Sequence, residues 1–289
     1  MIEVEGVDDE GAVLARKTWR TLEPLHGIIY FVPEAADAYV RLGIAGQAGY
    51  FASRAAPMGA VTADVVVSTF FNFNPELVHA AIPAAWEVAT PVALVRARFT
   101  AIDAAYRRLL GEDVLASEEM RRAAELARLA AEEAARHVEG RPLAAAHADV
   151  AWPSEPHLVL WHAQSILREF RGDGHIAQLV VRGLSGLEAL VTHAASGDVP
   201  ERLLRATRGW TADAWEGAAD ALRVRGWLEP GDKLRLTPLG EEVRQELEHG
   251  TDKLAAAPYA VLGEEQCAEL RGLARPWSAA LAQQLPRPG

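Results

Sequence analysis

The order of short segments between residues 185 and 254 constrains the fold of this chain more than any other feature. Helical patterns in that region occupy residues 185–196, 200–207 and 211–225. The sequence GWLEPGDKLRLT comes next, and its turn formers Gly231 and Asp232 lie between alternating residues, which is typical of two short strands closed by a hairpin. Thr237 is suited to cap the helix that follows. Three helices, a hairpin and a helix are the order of a winged helix-turn-helix.

The residues of this region also carry a family resemblance. The sequence LRVRGWLEPGDKLRLTPLGEEVRQELE is similar to the end of the recognition helix, the wing and the next helix of MarR-type winged-helix regulators. In that family an L-x-x-x-G-[LW] turn leads into a wing closed by L-T-x-x-G, and both patterns occur here. The segments YFVPEA, YFASRAAPMG, LVLWHAQSILREFRGDGH and TDKLAAAPY extend a resemblance to an actinobacterial helix-turn-helix family over nearly the whole chain. These resemblances imply the fold and no particular chemistry.

A chain of 289 residues is long enough to form more than one hydrophobic core. We therefore expect a mainly α protein of two helical lobes, the C-terminal one a winged helix-turn-helix with a small β-wing. The clearest helix is SEEMRRAAELARLAAEEAARHVEG, which opens on a capping Ser and places Glu and Arg at helical spacings. The predicted parts are an N-terminal helical lobe over 1–114, the long helix and a Pro-rich connection over 115–154, and a winged-helix-like lobe with C-terminal helices over 155–289.

Cysteine content and apolar runs favour a cytoplasmic protein. Cys267 is the single cysteine, so no internal disulfide can form. The first residues, MIEVEGVDDEG, have neither the basic nor the apolar region of a signal peptide. The longest apolar runs, such as AAAPYAVLG, are far shorter than the roughly 20 residues of a membrane-spanning helix. We therefore expect no membrane partner.

The charge of the chain disfavours DNA as a partner. Its net charge is −11, whereas nucleic-acid binding normally requires a basic surface. The segment TADAWEGAADALRVRG, which corresponds to the recognition helix in the resemblance, carries carboxylates at Asp213, Glu216 and Asp220. Two basic residues of the wing are offset by two acidic ones. Because phosphate contacts dominate DNA affinity, we expect the winged helix to be a scaffold, and a local DNA-binding patch stays open as an alternative.

The charged segment PHLVLWHAQSILREFRGDGH is the first candidate site. On a helix through this segment, His162 and Glu169 share one face. The glycines on either side of Asp173 would allow a sharp turn into a second helix, which would bring His175 back toward Glu169. We therefore predict acid/base roles for His162, Glu169 and His175, with Arg54 or Arg171 holding an anion.

Two other interpretations of this segment stay open. The residues form a structural network if Arg168 and Arg171 pair with Glu169. Asp173 is then only a helix cap, and His162 is only an interface residue. A metal site would need three or four convergent ligands, and the spacing of His162, Glu169 and His175 matches no established metal motif, so no metal is assigned. The chain also lacks phosphate-loop, dinucleotide and nucleophile-elbow motifs, so any cofactor is unknown.

A second candidate site is centred on Arg54 in YFASRAAPMG. A buried guanidinium must be paired or must bind an anion, so Arg54 either pairs with Glu34 or receives a ligand carboxylate through two hydrogen bonds. The run FFNFNP, which contains Phe73, and Trp86 after it would supply aromatic walls for a planar organic ligand, although aromatic residues at such spacing also suit an ordinary core. The predicted ligand-binding residues are Glu34, Tyr50, Arg54, Phe73, Trp161, Arg171 and Asp173.

These observations predict a small-organic-ligand-binding protein on a winged-helix scaffold that has lost DNA binding. The ligand would lie where the lobes meet, and it is either converted by the acid/base residues or only sensed. The resemblance implies the alternative of a MarR-like, ligand-responsive transcriptional regulator. It also implies a homodimer, because the terminal helices of MarR-like proteins often dimerise. The apolar segment AAAPYAVLGEEQCAELRGLARPWSAAL would pack either on its own lobe or on a second subunit.

Overall fold

A computed structural model describes residues 9–285, which fold almost entirely as helices, so the prediction of a mainly α protein is confirmed. The helices before residue 150 are α1 (Asp9–Gly27), α2 (Pro33–Arg41), α3 (Gly46–Ala55), α4 (Ala63–Phe70), α5 (Pro75–Ala81), α6 (Ala84–Val88), α7 (Pro91–Leu110), α8 (Glu112–Leu115), α9 (Glu118–Ala134) and α10 (Pro142–Ala148). The later helices are α11 (Pro156–Val181), α12 (Gly186–Ala195), α13 (Glu201–Arg208), α14 (Ala212–Val224), α15 (Pro238–Leu254), α16 (Ala257–Ala260) and α17 (Gly263–Ala282). Short 3-10 helices occupy Ile28–Tyr30 and Ala56–Met58.

Proline and hydroxyl side chains determine where several of these helices begin. Pro91 occupies the first turn of α7, where a missing N–H breaks no intrahelical hydrogen bond. Ser117 accepts a hydrogen bond from Met120 N–H at 3.1 Å and caps α9. Ser185 and Glu188 form a capping box at the start of α12. These signals are local, which is why the sequence alone predicts the corresponding helix starts.

The helices predicted at 185–196, 200–207 and 211–225 are present as α12, α13 and α14. The hairpin after them is shorter than predicted. Leu228 and Leu236 form one antiparallel bridge, and Glu229 N–H donates to Arg235 O at 2.9 Å. Within residues 9–285 this bridge replaces the two predicted strands, because an exposed hairpin has no third strand that would extend its pairing.

One continuous helix, α11, runs through the glycines around Asp173, so the predicted sharp turn is wrong. A Cβ atom at Gly174 would lie 2.7 Å from Arg141 Nη1 and 3.3 Å from Leu254 Cβ. Arg141 in turn donates to Phe170 O at 2.5 Å and to Leu254 O at 2.9 Å. Gly174 thus permits close packing of neighbouring segments on α11, which offsets the cost of about 1 kcal/mol that a glycine carries inside a helix.

Buried apolar side chains form two separate clusters. The first draws on α1–α10, most of α11, and α16 and α17. The second draws on the C-terminal end of α11, on α12–α15 and on the hairpin. Cys267 and Leu270 of α17 are buried in the first cluster, where α17 packs against α1 and α9 of its own chain. The C-terminal helices therefore return to the N-terminal core, whereas the predicted domain boundaries and the homodimer stay predictions.

Backbone contacts join the two clusters at the turn between α13 and α14. Asn74 N–H donates to Arg208 O at 2.9 Å, and Asn74 Nδ2 donates to Gly209 O at 2.8 Å. Gly186 at the start of α12 approaches Phe71 O so closely that a Cβ atom there would overlap this oxygen. The segment from α12 to α14 is thus held against the loop between α4 and α5.

No single helix among residues 9–285 combines the length and the apolar character needed to cross a membrane. Two helical segments, Pro75–Val88 and Pro91–Leu110, meet these criteria only when they are taken together, and they are bent by 96° relative to each other. Both segments contribute buried side chains to the first apolar cluster, including Val78 and Leu94.

Candidate functional site

Glu169 lies at the centre of a buried ion network. Its side chain on α11 is 1% exposed. Arg54 donates to it twice, from Nε to Oε1 at 3.1 Å and from Nη2 to Oε2 at 2.8 Å, and Arg168 Nη1 donates to Oε1 at 2.9 Å. Burial raises the pKa of Glu169, but the charges of Arg54 and Arg168 outweigh burial and hold this pKa well below its usual range. Glu169 is therefore an ionised partner of two arginines rather than a proton donor.

Glu34 lies away from this network, so the predicted pairing of Arg54 with Glu34 is wrong. Glu34 accepts a hydrogen bond from Arg108 Nη2 at 3.0 Å on the surface between α2 and α7. The inward face of α2 is occupied by Ala35, Ala38 and Tyr39, which leaves Glu34 on its flank. Arg54 instead meets a carboxylate from α11, which is remote in the sequence.

Tyr50 and Phe73 lie beside Arg54. Arg54 Nη1 donates to the Tyr50 hydroxyl at 3.2 Å, and the ring centroids of Tyr50 and Phe73 are 5.5 Å apart. Arg208 of α13 stacks over the Phe73 ring at 4.5 Å. Burial lowers the pKa of Arg208, and the charge of Arg54 acts in the same direction. The rings of Tyr50 and Phe73 therefore border the contact between the two apolar clusters.

Glu23 on α1 completes the ion network. Arg168 Nε donates to Glu23 Oε1 at 3.1 Å, and Trp19 Nε1 donates to Glu23 Oε2 at 3.0 Å. The guanidiniums of Arg54 and Arg168 are thus matched by the carboxylates of Glu23 and Glu169. Such full pairing is what a buried structural network requires, because an unpaired buried charge is costly.

His26 on α1 links this network to the backbone of α11. Its Nδ1 lies 2.9 Å from Ser165 Oγ, and its Nε2 lies 3.1 Å from the Tyr30 hydroxyl. Ser165 donates its own proton to Trp161 O at 3.0 Å. The His26 tautomer is therefore assigned with the proton on Nδ1, donating to Ser165. Burial lowers the pKa of His26 well below its usual value, so the ring is neutral.

Four buried polar side chains near this network each have one atom without a hydrogen-bond partner. These atoms are Arg98 Nη2, His147 Nε2, Trp161 Nε1 and Gln164 Nε2, and we call the four residues the unpartnered cluster. The guanidinium of Arg98 lies 5.3 Å from the centre of the Trp161 ring, and its charge acts on the pKa of His147. Gln164 follows Trp161 by one turn of α11. Folded proteins leave few buried polar atoms unpaired. The other such atoms among the described residues belong to Arg171, Arg208, Trp215, Arg223 and Ser278, outside this group.

Arg98 on α7 differs from Arg54 because none of the described carboxylates forms an ion pair with it. Its side chain is buried, and its Nη1 donates to Ser53 O at 2.9 Å. The Ser53 carbonyl needs this donor because Pro57, four residues later, has no N–H. One end of the guanidinium therefore satisfies the backbone, while Nη2 at the other end has no partner.

His147 on α10 is the second titratable member of the unpartnered cluster. Burial lowers its pKa well below the usual value, and the charge of Arg98 lowers it further. The charge of Glu169 acts in the opposite direction, so His147 lies within electrostatic reach of the ion network. The ring is neutral, and its Nε2 is free to donate or to accept one hydrogen bond, depending on the tautomer.

The predicted acid/base residues have separate partners. His162 Nε2 lies 3.2 Å from Val150 O, and burial lowers the pKa of His162 to about 4. His175 Nδ1 lies 3.0 Å from Thr251 Oγ1, on the side of α11 that faces α15. The predicted approach of His175 to Glu169 is wrong, because α11 does not turn between them. Among residues 9–285, no three His, Cys, Asp or Glu side chains are placed to hold a metal ion.

Asp173 and Arg171 serve neighbouring helices rather than the candidate site. Asp173 Oδ2 accepts hydrogen bonds from the backbone N–H groups of Leu143 at 3.0 Å and Ala144 at 2.9 Å. It thereby caps α10 from outside that helix. Burial raises the pKa of Asp173 to about 6. Arg171 Nη2 donates to Asp252 Oδ1 at 2.8 Å, so it is paired in the α11–α15 contact.

An open groove of about 690 Å³ lies next to the unpartnered cluster. Its apolar walls include Pro57, Val92, Val95 and Leu158. Phe99 also lines the groove, and its ring centroid lies 5.4 Å from that of Trp161. This volume falls in the range of about 300–1,000 Å³ that small-molecule pockets occupy. The sequence did not indicate the groove, because its walls come from four separate segments.

Comparison with known proteins identifies a family. The sequence matches the Helix-turn-helix family over residues 15–286, and the chain therefore belongs to this family. No curated protein and no solved structure gives a match. The family match establishes a helix-turn-helix protein.

Proposed function

We propose that this member of the helix-turn-helix family binds a small organic anion inside its N-terminal helices. The observation that carries the proposal is Arg98, a buried guanidinium with no carboxylate partner and with an unpaired Nη2. A carboxylate that enters the unpartnered cluster would neutralise this charge and accept a charge-assisted hydrogen bond. Few buried polar groups and an aromatic wall are the usual composition of a small-molecule site.

The neighbouring side chains fit a planar, anionic ligand. Trp161 offers both an apolar ring and an unpaired Nε1–H donor, and the Gln164 side-chain amide offers a second donor. His147 is neutral and supplies a third polar contact at Nε2. Three polar groups around one cation would fix the orientation of the bound carboxylate. The ion pairs of Arg54, by contrast, are already complete.

A winged-helix scaffold without DNA binding is the second part of the proposal. The order of α12, α13, α14, the bridged hairpin and α15 supports the winged-helix assignment. The exposed face of α14 carries Asp213, Glu216 and Asp220. Arg205 donates to Glu216, and Arg223 donates to Asp220, so these two arginines are engaged by carboxylates of the same lobe. A surface of this charge would repel phosphates.

Benzoate tests the ligand site, with benzamide as a neutral probe of nearly the same shape. We expect benzoate to raise the Tm of the protein and benzamide to raise it much less. At a concentration one hundred times Kd, the stabilisation would be about 2.7 kcal/mol. Arg98→Gln should abolish the benzoate effect, whereas Arg41→Gln at the exposed end of α2 should retain it. Equal effects of the two probes, or no effect of either, would contradict the proposal.

A ligand-responsive transcriptional regulator is the alternative, and membership of the helix-turn-helix family favours it. Fluorescence anisotropy with a labelled DNA duplex at low salt separates the two functions, because low salt strengthens every phosphate contact. We expect no binding in the presence or absence of benzoate. Binding that salt weakens steeply would favour the regulator.

A further inference from the structure

We propose that the groove and the unpartnered cluster are the outer and inner parts of one site, whose ligand is an amphipathic organic anion. Its apolar body would occupy the groove, and its carboxylate would reach Arg98. This inference rests on the proposed function and extends it by naming the class of ligand. A small planar acid would use only the inner part, whereas an acid with an apolar chain would use both.

The same helices line both parts of the site. On α7, Phe99 lines the groove while Arg98, the preceding residue, points into the unpartnered cluster. On α10, Ala146 lines the groove while the next residue, His147, is buried within electrostatic reach of Arg98. On α11, Leu158 lines the groove and Trp161 lies one turn further along. Three helices thus each present at least one residue to the groove and a near neighbour to the cluster.

The Phe99 ring separates the two parts. Its centroid lies 5.4 Å from the Trp161 ring in an edge-to-face contact, and 5.6 Å from the His162 ring. Phe99 is only half-buried, because its other side faces the groove. In the proposed binding mode, a change of the Phe99 rotamer opens the groove toward Trp161, and the Arg98 guanidinium lies 5.3 Å from the centre of that ring.

The chemistry of the groove complements that of the cluster. Its walls are mainly aliphatic and aromatic, and Val92 on its rim is 69% exposed. Five charged residues also line the groove, namely Arg96, Asp103, Arg107, Asp149 and Glu155. Of these, Asp103 accepts hydrogen bonds from Arg107 and lies 2.7 Å from His157 Nε2. The groove therefore offers apolar surface to a ligand body, while the unpaired buried cation is deeper, at Arg98.

A series of linear monocarboxylates tests the inference by isothermal titration calorimetry. The probes are acetate, butyrate, hexanoate and octanoate, with the alcohols of the same length as neutral controls. If the groove holds the chain, each buried CH2 group should lower Kd about fourfold until the groove is filled. The alcohols should bind far more weakly, because they leave the Arg98 charge unmatched.

Filling the groove supplies the structural test. In Val95→Trp, and independently in Val92→Trp, the new ring would occupy the groove, so the dependence of Kd on chain length should be lost while acetate binding is retained. Val181→Trp, at an exposed position on α11 outside the groove, is the matched control and should preserve the dependence. Arg98→Gln should weaken the binding of every acid.

Each other outcome has a distinct meaning. Acid binding that depends on Arg98 but not on chain length would overturn this inference and leave the proposed function standing. Chain-length dependence that is unchanged in Arg98→Gln would show an apolar groove unconnected with the cation, and would overturn both. The absence of binding by every acid would also overturn both.

Discussion

Replacing Glu169 by glutamine tests whether the buried ion network is a closed structural unit. Glutamine keeps the shape of the side chain but removes its charge, so Arg54 and Arg168 lose the carboxylate that lies between them. The new amide N–H2 group would also face a guanidinium donor. Removing one partner of a buried ion pair costs about 3–5 kcal/mol. For a chain of this size, 1 kcal/mol shifts Tm by about 2–4 °C, so we expect Glu169→Gln to lower Tm by about 10 °C.

Urea unfolding at neutral pH, followed by circular dichroism, measures the loss for Glu169→Gln as a shift in midpoint at unchanged slope. Glu118→Gln is the matched control, because Glu118 forms an exposed ion pair with Arg121 and should contribute little. The pKa of Glu169 is lowered in the folded state, so its contribution is present at neutral pH and is lost as the pH falls through the lowered pKa. The two proteins should therefore converge in strong acid. A loss no larger than that of the control would refute the reasoning.

Three further predictions concern pH and packing. The pKa of Asp173 is raised from 3.8 to about 6, so the stability of the protein falls as the pH rises through this interval. Asp173→Asn should remove this slope, and urea midpoints should show the variant to be on the order of 2 kcal/mol more stable than the wild type at pH 8. The pKa of His162 is lowered to about 4, so its effect on stability has the opposite dependence on pH. Wild-type stability should fall as the pH drops below 6.5, and His162→Phe should flatten this part of the stability profile. Gly186→Ala should lower stability by about 1–3 kcal/mol through overlap with Phe71 O, whereas Gly217→Ala, which meets open space on α14, should raise it by about 0.5–1 kcal/mol in the same assay.

Local signals made the helices of the C-terminal region predictable. Ser185 and Thr237 are capping residues that identify their helices without any knowledge of the rest of the fold. Gly174 gave a misleading signal, because a glycine that permits a turn also permits close packing. The contacts of Gly174 with Arg141 and Leu254 involve residues more than thirty positions away, so the sequence could not distinguish the two cases.

The choice of ion-pair partners was not predictable for the same reason. Arg54 has acidic residues at several distances in the sequence, and its actual partner, Glu169, is 115 residues away. Arg98 left a visible sign, because it interrupts the apolar stripe of α7 at a spacing that places it with Leu94 and Ile102. A charged residue at such a position is buried, and its partner then has to be identified. His147 gave no comparable signal.

The contrast between Arg54 and Arg98 decides where a ligand site is to be expected. Both guanidiniums come from the N-terminal helices and approach α11, but Arg54 has two carboxylate oxygens and a tyrosine hydroxyl as acceptors, whereas Arg98 has one backbone carbonyl. A ligand carboxylate at Arg54 would have to displace Glu169, and it would leave that buried carboxylate with Arg168 as its remaining arginine partner. The same ligand at Arg98 would break no ion pair of the protein and would pair an uncompensated charge. The sequence drew attention to the charged residues of α11, but the geometry favours Arg98 on α7, which approaches Trp161 of α11 and has no carboxylate partner.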